Sequence, residues 1–302
     1  MELRHLRYFV AVAEEGSFNR AADRLHIQQP PLGQQIKDLE YELGVALFDR
    51  SPRRVVLNGA GEIFLAEARD ILRRAQLAIE NVRRFDKGES GSLSVGFTSS
   101  ASLHVLAPQF LRQYREAFPL AEIVVEESET YELILALRQQ RIDVALLHID
   151  TTRFPELVSR ALAEEDMLVA LPRGHPYADD IGGPLTLKMF HDADMVVYRR
   201  QDGPGIFERI MEAFDRAGIR PRVVDEVSRI IAAINLVAGG RGLTLVPSSM
   251  KVLHGAAVVY RPLAPGELPP LPLYVACRSD AKLALIRNFI DLTERIASDW
   301  KH

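Results

Sequence analysis

A chain of 302 residues, 47% apolar and 26% charged, has the make-up of an ordinary globular protein with two or more domains. Its net charge of −4 excludes a protein that coats nucleic acid indiscriminately, but not a small domain with a few placed basic groups. No apolar run reaches the roughly 18–20 residues needed to span a bilayer. The N-terminus leads into an amphipathic pattern and not a signal-peptide core. A cytoplasmic protein with no membrane partner is therefore expected. The single cysteine, Cys277, lies in the apolar run 273–277 and reads as a buried thiol in a strand.

Residues 1–58 carry eight basic and eight acidic side chains, so any affinity for an anionic partner must come from placement. The spacing of Leu6, Phe9, Val10 and Ala13 predicts a helix over about 4–15, ended by Gly16. Ser17 is an N-cap for a second helix over 18–25, where the small pair Ala21 and Ala22 admits a close neighbour. His26, Ile27 and Gln28 form a short turn. Pro30 and Pro31 then sit in the first turn of a third helix, where a missing N–H costs little. Ile36, Leu39 and Leu43 are its buried stripe. Two short helices joined by a tight turn make a helix-turn-helix.

The outer face of the third helix carries Gln28, Gln29, Gln34, Gln35 and Lys37. Glutamine pairs bidentately with adenine in the major groove, and Pro30 and Pro31 suit apolar contact with a thymine methyl. Residues 47–57 read as a β-hairpin bearing Arg50, Arg53 and Arg54, a wing suited to phosphate or to the minor groove. Helix, turn, recognition helix and basic wing in that order point to double-stranded DNA as the partner.

Between 60 and 86 there is no proline, and Gly61 is the one breaker. Phe64, Ala68, Ile71, Ala75, Ala78, Val82 and Phe85 follow a 4-3 spacing, a heptad seam for pairing two copies of the chain. Two heads so paired would read half-sites about 34 Å apart. Residues 88–92, Gly-Glu-Ser-Gly-Ser, have the composition of a hinge.

From 93 on, strands and helices alternate, which predicts an α/β fold with largely parallel sheets. Strands are expected at 93–97, 123–126, 143–147, 167–171, 195–198, 223–227, 243–246 and 273–276, and helices at 102–117, 131–140, 205–217, 230–238 and 280–298. Several strands run straight into hydroxyl residues at a helix start: Ser99 and Ser100, Ser128 and Thr130, Ser228, and the pair Ser248 and Ser249. Such ends attract anions, and ligands of open α/β sheets bind beyond the carboxyl ends of strands. A small carboxylate is the natural candidate. Ile206 and Phe207 are a candidate apolar wall. The eight histidines show no metal-ligand spacing, and neither a nucleophile elbow nor a phosphate loop is present. Catalysis, metal and cofactor are therefore not expected.

The stretch Leu3-x-x-Leu6-x-x-Phe9, Ser17-Phe18-x-x-Ala21-Ala22-x-x-Leu25-x-x-x-Gln29-Pro30 and Ile36-x-x-Leu39-Glu40-x-x-Leu43-Gly44-x-x-Leu47-Phe48-x-Arg50 resembles the LysR-type transcriptional regulators, with the benzoate, muconate and chlorocatechol branch the nearest in flavour. The resemblance implies a winged helix-turn-helix over 1–58, a linker and dimerisation helix over 59–87, a hinge at 88–92, and a two-lobed effector domain like a periplasmic binding protein over 93–302. Lobe I would comprise about 93–162 and 268–302, and lobe II about 163–267. It further implies assembly to a homotetramer and RNA polymerase as a partner. Carried over by position, Ser100 and Thr130 hold an effector carboxylate, with Ser99, Ser128, His148, Arg199, Phe207 and Val227 around it. Relatives often have arginine where His148 stands, and proline or serine where Arg199 and Arg200 stand. They often have serine at Gln28, serine or threonine at Gly33, and threonine at Asn58, which caps a helix equally well. The alternative from another class is a small-molecule binding protein or enzyme whose helical head serves assembly.

Overall fold

The structure is a computed structural model that describes residues 1–51, 54–179, 183–198 and 205–300, with the backbone alone at 50, 51 and 54. Chain contacts divide it into two compact units, Met1–Arg84 and the remainder from Phe85.

The first unit begins with α1 (Leu3–Glu15), α2 (Phe18–Leu25) and α3 (Gln29–Leu43). Gly16 ends α1 at a left-handed φ of 58°, and the Ser17 hydroxyl accepts the amide of Arg20 to start α2. His26 also takes positive φ to close the turn between α2 and α3. Strands β1 (Phe48–Ser51) and β2 (Arg54–Leu57) pair antiparallel from Phe48↔Leu57 to Ser51↔Arg54. The Glu40 carboxylate of α3 accepts the amides of Leu47 and Phe48 and so ties the hairpin to that helix. The long α4 (Gly59–Asp86) follows. Asn58 caps it by accepting the Gly61 amide at 2.9 Å, while its own amide donates to Ala46 O.

The apolar stripes of all five elements meet α4 in one core. Phe9 lies at its centre, 5.3 Å from the Phe48 ring and 5.0 Å from that of Phe64. Phe64 and Ala68, the first two residues of the heptad seam, pack into this core. Further along, Ile71, Val82 and Phe85 are exposed. Gly61 permits the close approach of α4 to the hairpin: a Cβ there would land on the Leu47 carbonyl and 2.8 Å from Leu57 Cδ2. Gly61→Ala is expected to destabilise the head by about 1–3 kcal/mol through overpacking, read as an earlier head transition in urea.

The second unit holds two lobes. In chain order it runs β3 (Ser90–Phe97), α5 (Ser99–Leu103), α6 (Ala107–Ala117), β4 (Leu120–Glu127), α7 (Thr130–Arg138), β5 (Val144–Leu147) and β6 (Leu157–Glu165). Next come β7 (Met167–Pro172), β8 (Asp194–Tyr198), α8 (Ile206–Ala217), β9 (Arg222–Val227), α9 (Ile230–Ala238), β10 (Thr244–Pro247), β11 (Val258–Pro262), β12 (Leu271–Arg278) and α10 (Ala284–Asp299). One sheet has the order β4-β3-β5-β12-β6, packed on α6 and α10 through Phe97, Phe110, Tyr114 and Phe289. The second joins β10-β7-β11 to the β8-β9 pair through a bridge between Met195 and Leu243. Its core is built from β7, β8, α8, α9 and β10. The chain passes from the first sheet to the second at Asp166, between β6 and β7, and returns between β11 and β12.

Several local expectations differ from what forms, among them the burial of Leu43, which is exposed on α3. The sheets are mixed, because β12 returns antiparallel to both β5 and β6 and β7 lies antiparallel between β10 and β11. The helix expected over 102–117 is two helices: His104, extended, ends α5, and Pro108 opens α6 in its first turn. Ser90, Gly91 and Ser92, hinge-like by composition, pair with Leu120, Ala121 and Glu122 as the first residues of β3. Gly91 has a packing reason: φ there is +123°, and a Cβ would meet Leu285 Cδ1 at 3.0 Å. Strands β6 and β11 were not anticipated. Both are edge strands with one face in water, so their apolar pattern is weak. Cys277 is buried, as expected of a strand thiol, and burial pushes its pKa up. Among the described residues no helix is long and apolar enough to cross a membrane, and no group of three His, Cys, Asp or Glu side chains could hold a metal.

Candidate functional site

The first candidate surface is the outer face of α3. Gln28 stands at its N-cap, and Gln29, Pro30, Pro31, Gln34 and Lys37 are all exposed on it. Gln34 donates to Asp38 at 2.8 Å, and Gln35 turns aside to His5, 3.0 Å away. Tyr41, 89% exposed, continues the row Pro30, Gln34, Lys37 by one turn. Its 4-3-4 spacing was the available signal, which sequence reasoning passed over. The hairpin places the backbone of Arg50 and Arg54 in paired strands, while Arg53 lies outside the described residues. Gln29→Ala is expected to relax preference at one base position, with about 1–3 kcal/mol of discrimination lost there, read from affinities across a panel of single-base variants. Equal losses at every position would refute base readout.

The second candidate is in the α/β unit. The hydroxyl residues at helix starts prove to have different fates. Ser99 donates to the Glu127 carboxylate at 2.7 Å, and Ser128 donates to that of Glu132 at 2.7 Å within the cap of α7. Ser128 is the largest cause holding Glu132 below the usual carboxylate range. Ser248 and Ser249 hold Glu165: the Ser248 hydroxyl, Ser249 amide and Ser249 hydroxyl donate to it at 3.1, 2.8 and 3.3 Å. These starts do attract carboxylates, but carboxylates of the chain itself. Ser100 and Thr130 instead line cavities.

The larger cavity, about 470 Å³, is bordered by Thr130, Tyr131 and Ile134 of α7, by His148 to Asp150, Arg153 and Phe154 beyond β5, by Gly205 and Arg209, and by Pro272 and Tyr274 of β12. That volume suits a small organic ligand. Its walls are polar and apolar in nearly equal measure. Two guanidinium groups stand at it from opposite lobes, that of Arg209 donating to Pro270 O at 2.9 Å. Asp150 supplies an opposing charge, held below its ordinary pKa by the Thr152 hydroxyl and amide. The smaller cavity, about 20 Å³, is bordered by Ser100, Tyr198, Gly205, Ile206, Phe207, Glu208 and Ile230. Gly205 borders both. The predicted apolar wall of Ile206 and Phe207 thus faces Ser100, whereas Thr130 and His148 share the larger space. Val227 packs half-buried against the lobe II core and borders neither cavity. Arg199 and Arg200 lie outside the described residues.

His148 is 4% exposed. Its Nδ1 lies 3.1 Å from Pro272 O and its Nε2 3.6 Å from Glu165 Oε1. Burial pushes the Glu165 carboxyl up, and its serine donors pull the other way. Sequence reasoning missed Arg153, Arg209 and Glu165. The rule that ligands lie beyond strand ends points to 148–154, but no local signal marks Glu165, whose serine donors are more than 80 residues distant.

Comparison with known proteins matches residues 3–62 to the lysR family of bacterial regulatory helix-turn-helix proteins and residues 86–297 to the LysR substrate binding domain. The chain is 37% identical over 298 residues to the transcriptional regulator AlsR of Bacillus subtilis, covering 97% of this chain and 95% of that one. It is 32% identical over 296 residues to BenM of Acinetobacter baylyi, covering 98% and 96%. The crystal structure of the LysR regulator CbnR superposes with a TM-score of 0.85 at 28% identity over 97% of this chain and all of that one, and CbnR bound to its target DNA with 0.83. A winged head with an exposed glutamine row, joined to a two-lobed ligand-binding unit, therefore places this chain in the LysR family of DNA-binding transcriptional regulators.

Proposed function

We propose that the regulator responds to a small carboxylate that binds in the cleft cavities of the α/β unit and alters how paired heads engage promoter DNA. The observation that carries this is the 470 Å³ cavity with a mixed polar and apolar lining, the α7 N-terminus at Thr130 and guanidinium groups from both lobes. A helix N-terminus and two arginines favour a negative charge, while Ile134, Phe154 and Tyr274 suit a ring or branched chain. Ser100 and Thr130 are the proposed anchors, with His148, Arg209 and Phe207 around the body of the ligand. A ligand on both lobes shifts their equilibrium only by its differential affinity for the closed state. Pairing is proposed through the exposed stretch of α4 that carries Ile71, Ala78, Val82 and Phe85, giving dimers and, by family likeness, tetramers that act on RNA polymerase in the cytoplasm.

The test is a thermal-shift screen of small aromatic and aliphatic carboxylates beside their neutral amides, followed by footprinting of the DNA upstream of the gene. A carboxylate at 100 times its Kd should stabilise the ligand-binding unit by about 2.7 kcal/mol and change the footprint, while the amide should not. Equal stabilisation by acid and amide would sink the anionic reading. No protected DNA at moderate salt would sink the promoter reading.

A further inference from the structure

We infer that Glu165 is a positioning residue that holds His148 as a charged imidazolium in the wall of the larger cavity. The Nδ1 of His148 faces the Pro272 carbonyl oxygen at 3.1 Å. A carbonyl only accepts, so this nitrogen carries a proton. Nε2 then faces Glu165 Oε1 at 3.6 Å, both side chains being 3% exposed. A neutral ring would present a lone pair to a carboxylate oxygen in a buried site, two acceptors face to face. A second proton on Nε2 turns that contact into an ion pair. Burial raises the Glu165 carboxyl overall, but the Ser248 hydroxyl and both donors of Ser249 serve its charged form, and with that support we place the proton on the ring.

The placement gives this pair its interest. Glu165 is the last residue of β6, one residue before the chain crosses to lobe II, and the serines that hold it follow β10 in lobe II. Pro272, which holds the other ring nitrogen, stands at the return crossing, at the start of β12. The charge on His148 is thus fixed by groups from both crossings. Among the described residues, the other charged or titratable groups around the pair are Asp166 beside Glu165, and Asp150, Arg153, Arg209, Tyr131 and Tyr274, which share the cavity wall with His148. Asp150 supports the imidazolium and the two arginines oppose it; Glu165 is the carboxylate within ion-pair distance. If the cavity takes the anionic effector proposed above, its affinity falls by up to tenfold per pH unit once His148 loses its proton.

The pair is tested without any ligand, so its failure is distinct from failure of the effector reading. The full-length chain labelled with 15N-histidine is titrated by long-range proton–nitrogen correlation, with His148 assigned by its disappearance in His148→Gln. The expected result is an imidazolium at pH 7.5, half-titrating at least one pH unit above the ordinary value of about 6.5. Glu165→Gln leaves an acceptor for the serines, and should lower that midpoint by at least one unit and leave a neutral ring protonated at Nδ1. Ser249→Ala is the milder variant, removing one donor; it should lower the midpoint by a smaller amount. A neutral His148 at pH 7.5 in the unaltered chain, or an unmoved midpoint in both variants, overturns the inference.

Discussion

Phe9→Ala is expected to unfold the head at temperatures where the rest of the chain stays folded. Phe9 is fully buried and its ring meets Phe48 of the hairpin and Phe64 of α4, so one side chain joins the three-helix core, the wing and the long helix. Truncating a buried phenylalanine costs about 3–5 kcal/mol. A unit of this size has on the order of 5–10 kcal/mol in total. No polar partner is stranded, so the loss is one of burial and of two ring contacts, one tilted and one edge-to-face. Differential scanning calorimetry should show a head transition moved down by tens of degrees or missing, with the sensor transition unchanged. Specific DNA affinity should vanish with it. An unaltered head transition would mean that the hairpin and α4 are held to the helices by something other than this cluster.

Thr130→Val separates sensing from DNA binding. The substitution keeps the shape of the side chain and removes its hydroxyl at the first residue of α7, on the wall of the larger cavity. A hydrogen bond to a charged group contributes about 1.5–3 kcal/mol, so on the proposed reading carboxylate affinity should fall roughly 10- to 100-fold. Affinity of the ligand-free protein for promoter DNA should stay within twofold. Calorimetric titration of the best carboxylate from the screen, beside a gel-shift series, measures both. An unchanged carboxylate affinity would move the anchor from Thr130 towards Ser100 and the smaller cavity.

The head could be read almost completely from its residues because its determinants are local. Gly16, Ser17 and Asn58 cap helix ends within four residues of where they stand, and the three-residue spacing of Leu6 and Phe9, and of Ile36 and Leu39, marks the buried stripes directly. The alternation of strands and helices from 93 on was legible for the same reason, since most of those strands are buried on both faces. What escaped was set by partners far along the chain. The edge strands β6 and β11 have weak patterns of their own, and β12 takes its antiparallel direction from a return crossing that no short window contains.

The hydroxyl residues at helix starts show the same division most sharply. Sequence alone determined that these positions attract carboxylates, because free amides and a hydroxyl at a helix start do so wherever they occur. Tertiary structure decided which carboxylate arrives. Glu127 and Glu165 of the chain itself reach Ser99 and the pair Ser248 and Ser249 from afar, Ser128 meets Glu132 of its own helix cap, and Ser100 and Thr130 line cavities. Attraction is a property of a few neighbouring residues, but occupancy depends on which acids the packing of two sheets brings within 3 Å.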